Sequence, residues 1–404
     1  MKVLVLNAGS SSQKSCLYEI PTTGCPIEAP SPLWEAQIDW GTTAQVQIKT
    51  AGGQTCQMNL PTTDRTTVMQ QVLQTLWTEP MQVLATIADI DLVGHRIVHG
   101  GSQFQQPVRI DAAVKAAISQ LIPIAPNHNR ANLEGIELIE ILLGHHVPQV
   151  AVFDTAFHSQ LPAAAQTYPG PHDWLKQGIK RYGFHGISHA YCADRAAQFL
   201  NRDLADLQLI TGHLGNGCSL AAIRDGHSVD TTMGFSPLEG LMMGTRSGSI
   251  DPSVIFYLMR EQHYDGTMID RLLNKESGLK GLSGVSHDIR QIQAAMVAGN
   301  SQAQLAWEVY IHRIRTGIGA MLMSLDRLDA LIFTGGVGEN CTDLRSQVCQ
   351  NLSFLGLQLD EEQNRQGKGD RDIALSQSPI RILVLHTQEA WQIAKASSCL
   401  VAGD

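Results

Sequence analysis

The sequence predicts an α/β protein with two related domains. Apolar strand-type segments alternate with amphipathic helical segments along the 404 residues, which is the order typical of α/β folds. A chain of this length exceeds the size at which a single hydrophobic core keeps growing, so two domains are expected. A strand, a glycine-rich loop and a second strand occur near residue 7 and again near residue 213. This repetition predicts two similar halves that face one ligand.

The first element is an apolar strand at residues 3–6, which runs into a polar loop at residues 7–12 and a second strand at residues 15–20. The loop contains glycine and serines, and Lys14 closes it. Backbone N–H groups, hydroxyls and an ammonium are groups that hold phosphate. Glycine and serine are also the usual residues of turns, so this segment alone leaves a phosphate site and an ordinary hairpin turn as equal alternatives.

Strand and helix patterns alternate through the rest of the chain. Further strands are predicted at residues 91–101, 150–155, 207–212, 220–224, 227–232, 328–334 and 380–386. Helices are predicted at residues 111–121, 133–143, 188–200, 305–325, 342–348 and 389–400. Asp111 and Ser188 are expected N-caps, and Asp225-Gly226 is the signal of a type I′ hairpin turn. The irregular tract at residues 22–32 is expected to be a surface loop.

Composition excludes several classes of protein. The net charge is −9 without a block of like charges, which argues against nucleic acid or an anionic membrane as a partner. No apolar run reaches the length of a transmembrane helix, and the chain begins with a strand instead of a signal-peptide pattern. The eight cysteines are scattered, with no C-x-x-C pair, so neither a zinc ribbon nor a disulfide framework is indicated. A reducing cytoplasm is the predicted location.

Three glycine-rich loops each follow an apolar strand, at residues 7–12, 213–219 and 335–340. None of them has the spacing of a Walker A loop or of a dinucleotide-binding fingerprint. Each alone is weak evidence, but three in one chain favour a nucleotide site over three separate turns. The third loop leads into the predicted helix at residues 342–348, whose N-terminus can favour an anion.

Two arginines are candidates for binding an anion. Arg96 lies at the end of a predicted strand, and Arg246 lies in a loop of small residues, Gly244-Thr245-Arg246-Ser247-Gly248. The guanidinium fork of arginine grips a carboxylate or a phosphate at two points. A surface salt bridge is an equal alternative for Arg96. It is a weaker alternative for Arg246, because small flanking residues allow a ligand to approach.

Asp154 and Glu389 both stand where a predicted strand ends, which is the edge at which α/β sheets place their ligands. For Glu389, stabilisation of the helix N-terminus by an acidic residue is a strong alternative. His185 precedes a predicted helix, and a lone histidine is more often a structural donor than a catalyst. No histidine has the H-E-x-x-H spacing, so the sequence does not support a zinc site.

Segments spread over the whole chain carry a resemblance to a known family. They are VLNAGSSSQK at residues 5–14, FDTAFH at 153–158, YGFHG at 182–186, HLGNGCSLAAIRDG at 213–226, MGTRSG at 243–248, SGVS at 283–286, DIR at 288–290, GVGEN at 336–340 and TQE at 387–389. In these segments the chain resembles the acetate/propionate/butyrate kinase (acetokinase) family from the first strand to the last helix.

The resemblance implies two related α/β domains of the actin, Hsp70 and sugar-kinase (ribonuclease H-like) type with a nucleotide cleft between them. We place the acyl-kinase domain at residues 1–154, completed by the C-terminal helix at 390–404, and the nucleotide-binding domain at 155–389. The implied reaction is direct in-line transfer of the γ-phosphoryl group of ATP to the carboxylate of acetate, giving acetyl phosphate and ADP. Mg²⁺, with Mn²⁺ as an alternative, and a homodimer are also implied.

The family's functional residues map onto positions of this chain. By this resemblance Asn7 and Glu389 would hold the metal, and Lys14 would lie near the phosphates. Residues expected to bind the nucleotide are Ser10, Ser12, His213, Leu214, Gly215, Asn216, Gly217, Asp288, Ile289, Arg290, Gly336, Val337, Gly338, Glu339 and Asn340.

The same resemblance assigns the reacting groups. Arg96 would bind the carboxylate substrate, Asp154 would be catalytic, and His185 and Arg246 would stabilise the transition state. A carboxylic acid with a pKa of about 4 is already ionised at neutral pH, so acetate needs no general base. We therefore expect Asp154 to orient Arg96 or a metal-bound water.

The wall of the acyl pocket departs from the family pattern at one position. Val98, Phe184 and Pro237 fit three wall positions, but Asn127 stands where the family usually has leucine. A buried amide needs hydrogen-bond partners, so propionate or butyrate remains an alternative substrate. Two rival functions also remain. In a sugar kinase of the same superfamily Asp154 would be a general base, and an Hsp70-like or actin-like ATPase would act through partners.

Overall fold

The computed structural model describes residues 1–403 except 10, 11, 22–25, 27, 62, 63 and 127. Its strands are β1 (Lys2–Ala8), β2 (Ser12–Glu19), β3 (Trp34–Asp39), β4 (Thr43–Thr50), β5 (Thr55–Pro61), β6 (Leu92–Ile97), β7 (Val108–Arg109), β8 (Gln149–Phe153), β9 (Gln208–Leu214), β10 (Cys218–Arg224), β11 (His227–Thr231), β12 (Ala330–Thr334), β13 (Arg371–Asp372) and β14 (Arg381–Val384). The α/β class predicted from the sequence is confirmed.

The helices lie between and after these strands. They are α1 (Arg65–Gln74), α2 (Ala112–Gln120), α3 (Asn129–Leu143), α4 (Ala163–Gln166), α5 (Asp173–Lys176), α6 (Gly186–Leu200), α7 (Ser253–Glu261), α8 (Gly266–Lys275), α9 (Gly278–Ser283), α10 (Ile289–Val297), α11 (Ser301–Leu322), α12 (Gly335–Asn340), α13 (Thr342–Gln350), α14 (Glu361–Arg365) and α15 (Glu389–Ala402). No helix in the described part of the chain is long and apolar enough to cross a membrane.

The chain divides into two compact units. The first comprises Met1–Ala156 and Gln388–Asp404, and it contains an eight-stranded sheet in the order β5-β4-β3-β2-β1-β6-β8-β7. β1, β6 and β8 are parallel neighbours, and their apolar runs are buried, as expected for central strands covered on both faces. Helices α3 and α15 pack on these strands. β4 instead alternates buried and exposed residues, which is typical of a strand with one solvated face.

The second unit comprises Phe157–Thr387 and contains a six-stranded sheet in the order β11-β10-β9-β12-β14-β13. β9, β12 and β14 are parallel, and β9 and β10 form an antiparallel hairpin. α6 packs on β9 and β12, and the long helix α11 packs on β9 and β10. Small alanines of α6 allow close packing against apolar strand residues.

Most predicted elements are present, and local signals are the most accurate. Asp111 caps α2 by accepting a hydrogen bond from the Val114 backbone. Asp225 and Gly226 have φ values of 53° and 76°, so the type I′ turn is confirmed. The helix predicted from residue 133 begins at Asn129, and the one predicted to residue 325 ends at Leu322.

Other predictions are wrong in detail. Ser188 does not cap α6, because His185 occupies the N-cap position with a φ of 56°. The Ser188 hydroxyl instead pairs with the side chains of His213 and Thr387. Lys14 does not close a loop, because it lies inside β2, which begins at Ser12.

Two of the glycine segments are more ordered than the sequence predicted. β9 continues through Leu214 and β10 begins at Cys218, so only Gly215–Gly217 connects the two strands. The third segment, Gly335–Asn340, is helical and does not form the predicted loop.

Strands β3, β4 and β5 were not predicted. The cysteines that the structure describes are free thiols, and a cytoplasmic location stays a prediction.

Candidate active site

In the first unit, Arg96 lies at the centre of a charged cluster at the ends of three parallel strands. Asn7 is near the end of β1, Arg96 is on β6 and Asp154 follows β8. Glu389, the first residue of α15, completes the group. We call these four residues the arginine cluster. Parallel strands end at the same edge of a sheet, which explains why residues distant in sequence meet here.

The arginine cluster is tightly hydrogen-bonded. Arg96 donates from Nε and Nη2 to Asp154 Oδ2, at 3.1 and 2.5 Å, and from Nη1 to Asn7 Oδ1 at 3.0 Å. Asn7 Nδ2 donates to Glu389 Oε2 at 2.8 Å, and Arg96 Nη1 lies 3.6 Å from the same oxygen. Burial would lower the pKa of Arg96, but the carboxylates of Asp154 and Glu389 outweigh it and raise that pKa. The guanidinium therefore stays charged.

Other residues predicted for this unit have different surroundings. Lys14 is half exposed on β2, and its ammonium lies 3.2 Å from Glu35 Oε2. Burial lowers the pKa of Lys14, but nearby acidic groups, Glu35 among them, raise it overall. Val98 is buried, and its backbone N–H donates to Asn132. Ser12 begins β2. Ser10 and Asn127 lie outside the described residues.

The second unit contains a cavity of about 450 Å³. Three segments form most of its wall: the β9–β10 connection, the start of α10 and the helix α12. The predicted nucleotide-binding residues that line it are Gly215, Asn216, Asp288, Ile289, Arg290, Gly336, Val337 and Asn340. A Cβ added to Gly336 would have open space around it, so the backbone there allows a ligand to approach closely.

Sequence reasoning did not identify four residues that line this cavity, namely Leu279, His287, Gln293 and Cys341. Gln293 is one helical turn after Ile289 on α10, so helical spacing could have identified it. His287 and Cys341 are direct neighbours of predicted residues. Leu279 lies on α9 and carries no local signal.

Glu339 was predicted to bind the nucleotide, but it does not line the cavity described above. Its carboxylate accepts hydrogen bonds from the backbone N–H of Gly335 at 3.0 Å and of Thr387 at 3.3 Å, and it contacts His386 Nδ1 at 2.6 Å. Burial raises the pKa of a carboxyl group, but these hydrogen bonds outweigh it and hold the pKa of Glu339 below its usual range. Glu339 thus connects α12 to the segment after β14.

A second group in this unit consists of histidines. His185 stacks on His213 with ring centroids 4.3 Å apart, and His189 and His158 lie next to them. We call His158, His185, His189 and His213 the histidine cluster. Each of these histidines pairs with a hydroxyl: Ser219 connects His185 to His189, Ser188 bonds His213 Nδ1 at 2.8 Å, and Ser228 bonds His158 Nδ1 at 2.7 Å. Among described residues, no group of three or more His, Cys, Asp or Glu side chains is placed to hold a metal ion.

Arg246 lies beside His185. A Cβ added to Gly217 would lie 2.9 Å from Arg246 Nη2 and 3.1 Å from His185 Nε2. Both nitrogens are therefore packed against Gly217, and a larger residue at this position would collide with them. Arg246 Nη1 donates to the carbonyl of Pro237 at 2.6 Å.

The remaining predicted residues of the second unit are structural neighbours of these groups. Phe184 is buried, and its carbonyl lies 3.0 Å from His158 Nε2. Leu214 is buried on β9, and Gly338 of α12 packs against it. Asp288 caps α10 and pairs with Arg290, with 2.6 Å between Oδ2 and Nη2.

Comparison with known proteins gives consistent matches. A family model described as the acetokinase family matches residues 2–395. The acetate kinase of Gloeobacter violaceus is 58% identical over 398 residues, covering 98% of each chain, and that of Trichormus variabilis is 56% identical with the same coverage. Among solved structures, Porphyromonas gingivalis acetate kinase matches with a TM-score of 0.89 and 38% identity, covering 99% of each chain. A propionate kinase from Francisella tularensis matches with a TM-score of 0.88 and 35% identity, covering 98% of this chain and 99% of that one.

Proposed function

The chain belongs to the acetokinase family, and from this premise we propose that it transfers the γ-phosphoryl group of ATP to the carboxylate of acetate, giving acetyl phosphate and ADP. Identity of 53–58% to acetate kinases over nearly the whole chain is the observation that carries the proposal. These relatives do not favour propionate or butyrate as the main substrate. Asn127, which prompted that alternative, lies outside the described residues.

We propose that Arg96 binds the carboxylate of acetate. Of the five N–H donors of a guanidinium, three are used in the hydrogen bonds to Asp154 and Asn7. Among the described contacts, two donors are left, one on each terminal nitrogen, and this is the fork geometry that suits a carboxylate. Asp154 holds the guanidinium through two of its nitrogens, so its role is to orient Arg96. A proton acceptor is not needed, because acetate reacts as its anion.

Phosphoryl transfer between two anions depends on positioning and on neutralising charge. We propose that Arg246 and His185 donate hydrogen bonds to the phosphoryl group in the transition state. The close approach of one nitrogen from each side chain to Gly217, which brings the two donors near each other, supports this assignment. Donors fixed in advance cost no reorganisation when the charge develops.

The expected Mg²⁺ fits the chemistry of Asn7 and Glu389. These side chains are hydrogen-bonded neighbours and offer an amide oxygen and a carboxylate. Mg²⁺ in kinases uses one or two protein oxygens and takes its other ligands from water and phosphate, so a larger set of acidic residues is not required. When bound, the ion would neutralise part of the phosphate charge. Within this chain, Asn7 and Glu389 hold their positions through Arg96.

The cavity in the second unit is the proposed site for the adenosine part of ATP. Its 450 Å³ volume is within the range of small-molecule sites. Polar side chains of Asn216, Asp288 and Asn340 stand among backbone and apolar groups on its wall, which is the usual composition of such a site. Glu339 stabilises the helix α12, which forms part of this wall, by accepting a hydrogen bond from the backbone of Gly335.

An assay with ATP, Mg²⁺ and a panel of short-chain acids tests the proposed function. Acyl phosphate is trapped with hydroxylamine, and ADP release is measured separately. We expect the highest kcat/KM for acetate. A hydroxylamine-stable phosphate ester formed with a sugar would instead identify a sugar kinase, and ADP release without dependence on any acid would identify an ATPase.

We also propose that the protein forms a homodimer through α7. This helix carries four large, mainly apolar side chains whose exposed fractions lie between 43% and 57%: Val254, Phe256, Tyr257 and Met259. Contiguous exposed apolar side chains of this size mark an interaction surface, and a second copy would bury them. Sedimentation equilibrium of the wild type and of Phe256→Glu tests this, with a dimer for the former and a monomer for the latter. A monomeric wild type would contradict the proposal.

A further inference from the structure

A chain of hydrogen bonds connects the imidazole of His185 to the interior of the second unit. His185 Nδ1 lies 2.8 Å from Ser219 Oγ, and the same oxygen lies 2.8 Å from His189 Nε2. His189 Nδ1 in turn lies 2.7 Å from Thr211 Oγ1. Thr211, His189 and Ser219 are inaccessible to solvent. We call these three residues the relay.

If the proton of Ser219 stays within this chain, only two arrangements are self-consistent, because each hydroxyl has one proton and a neutral imidazole has one. If Ser219 instead accepted from both imidazoles, its own buried O–H would lack an acceptor, since His185 and His189 are its partners among the described residues. In the outward arrangement Thr211 donates to His189 Nδ1, His189 Nε2 donates to Ser219, and Ser219 donates to His185 Nδ1. The proton of His185 is then on Nε2. In the inward arrangement every donor is reversed, and His185 is protonated on Nδ1.

Thr211 distinguishes the two arrangements. Among the described residues, Thr211 Oγ1 hydrogen-bonds only to His189. In the inward arrangement Thr211 would accept from His189, and its own buried O–H would lack an acceptor. An unsatisfied buried donor is costly, so the structure favours the outward arrangement. A doubly protonated His185 would also donate from Nδ1, and it would leave the buried O–H of either Thr211 or Ser219 without an acceptor.

Burial independently keeps His189 neutral. It lowers the pKa of His189 well below the ordinary value, and the neighbouring His158 and His213 lower it further. A neutral imidazole has one donor and one acceptor nitrogen, which is what the outward arrangement requires of His189.

We propose that Thr211, His189 and Ser219 are positioning residues that hold His185 as the tautomer protonated on Nε2. This inference rests on the proposed role of His185 and extends it to three residues for which no role was assigned. Nε2 and Arg246 Nη2 both lie close to Gly217. The relay therefore supplies a fixed N–H donor at that point without placing a second charge there.

The chemical consequence is a ring that donates to the phosphoryl oxygens and does not accept from them. With the other tautomer, Nε2 would present a lone pair to anionic oxygens, which is repulsive. The plane of the His185 ring is fixed by stacking on His213 and by the N-cap position of His185 at the start of α6. The relay therefore determines only which ring nitrogen carries the proton.

Nitrogen NMR of histidine-labelled protein tests the proposal without reference to activity. In the wild type at neutral pH we expect His185, assigned through its absence in His185→Gln, to be protonated on Nε2 alone. Ser219→Ala should shift it towards the Nδ1-protonated form. Thr211→Val should shift it in the same direction, and Thr211→Ser, which keeps the hydroxyl, should restore the wild-type spectrum. Ser228→Ala is the matched control, because this buried serine pairs with His158 and not with His185.

Kinetics provide the second readout. Loss of one preorganised donor reduces kcat by about 10²- to 10³-fold in other enzymes. We expect Ser219→Ala to lower kcat by up to about 10²-fold with KM for acetate nearly unchanged, Thr211→Val to lower it less, and Ser228→Ala to leave it unchanged.

The relay would be overturned by a wild-type His185 protonated on Nδ1 or on both nitrogens, or by a tautomer unchanged in both Ser219→Ala and Thr211→Val. These spectra do not depend on the reaction. If they agree with expectation while no acyl phosphate forms from any acid, the relay stands and the proposed function fails.

Discussion

The arginine cluster of the first unit and the histidine cluster of the second are held together by different forces. In the arginine cluster a cation contacts two carboxylates, with Arg96 and Asp154 only 2.5 Å apart. In the histidine cluster, the rings pair with hydroxyl groups, and that of Ser219 connects two of them. The first arrangement fixes charges and the second fixes the positions of protons. Both suit the proposed reaction, in which anions meet, because we propose that one cluster binds an anion and that the other presents donors.

The difference predicts how each cluster responds to substitution. Removing one member of a buried ion pair leaves the other charge uncompensated, which costs about 3–5 kcal/mol. Removing one neutral hydrogen-bond partner costs about 1–3 kcal/mol. Equal losses of stability on substitution in the two clusters would contradict this difference.

The largest effect is expected for Arg96→Ala. The substitution removes the proposed carboxylate anchor and leaves Asp154 and Glu389 without their shared cation, so kcat/KM for acetate should fall by about 10³-fold or more. Arg96→Lys is the matched control, because it keeps the charge but loses the fork, and it should restore only a small part of the activity. The hydroxamate assay measures both. Full activity of Arg96→Lys would show that charge alone suffices.

Asp154→Asn tests whether this carboxylate orients Arg96. The amide keeps the shape but loses the charge that faces Arg96 at 2.5 Å, and we expect destabilisation of about 2–3 kcal/mol together with a raised KM for acetate. Glu389, 3.6 Å from Arg96, limits the loss. Urea denaturation and initial rates measure the two effects. Turnover near that of the wild type with unaltered Mg²⁺ affinity would contradict the orienting role.

The histidine cluster should make stability dependent on pH. Burial lowers the pKa of His158 to about 4. Between that value and the ordinary 6.5 the unfolded chain binds more protons than the folded chain, so stability falls as the pH is lowered through this range. The loss for one such histidine is about 3 kcal/mol at pH 4. The charge of Arg96 does not change in this range, because its pKa is raised.

Denaturation midpoints from pH 7 to pH 4.5 check this prediction. His158→Gln should flatten the dependence. His95→Gln is a matched comparison. Burial also lowers the pKa of His95 to about 4, but this histidine lies in the first unit, where it pairs with Gln149. A steep pH dependence that persists in both variants would assign the acid sensitivity to other groups.

Local features were the ones that the sequence predicted well. The cap at Asp111 and the turn at Asp225-Gly226 depend on a few adjacent residues, so short-range rules suffice. Strands β3, β4 and β5 were missed, because their polar, alternating sequences become strands by pairing with one another and with β2. That pairing is tertiary information.

The glycine segment Gly335–Asn340 is a second case in which tertiary contacts decide the local structure. Its composition is typical of a loop, yet it forms α12. Arg345, which lies on the next helix, donates from Nη1 to the carbonyls of Gly338 and Glu339 at 2.8 and 2.9 Å, and Glu339 bonds the backbone of Gly335. These contacts stabilise a helix that glycine alone disfavours.

The candidate site divides in a similar way. Motif resemblance brought out Arg96, Asp154, His185 and eight of the residues that line the cavity. It did not bring out the relay. Ser219 lies in one of the matching segments, but Thr211 is on another strand and His189 is on a helix, and no spacing connects the three residues. Only the fold places their polar atoms in one chain of hydrogen bonds.

Glu339→Gln extends the comparison of charged and neutral contacts to a third place, because it replaces a carboxylate that is bonded mainly by backbone N–H groups. The amide can still accept from Gly335 and Thr387 but lacks the negative charge that faces His386. Glu339 is only partly exposed, whereas His386 is mostly exposed, so solvent weakens the pair. We expect KM for ATP to rise severalfold, corresponding to about 1 kcal/mol, with KM for acetate unchanged. An unchanged KM for ATP would mean that α12 holds its position without this brace.

The smallest effect is expected for Ser228→Ala. Phe184 offers a carbonyl, which can only accept, so His158 Nε2 must donate to it and Nδ1 must accept from Ser228 at 2.7 Å. Alanine leaves that buried nitrogen without its donor, which should cost about 1 kcal/mol of stability. Urea denaturation measures the loss beside that of Asp154→Asn. Because the two substituted residues are both buried, equal losses would remove the distinction between a cluster fixed by charge and a cluster fixed by neutral hydrogen bonds.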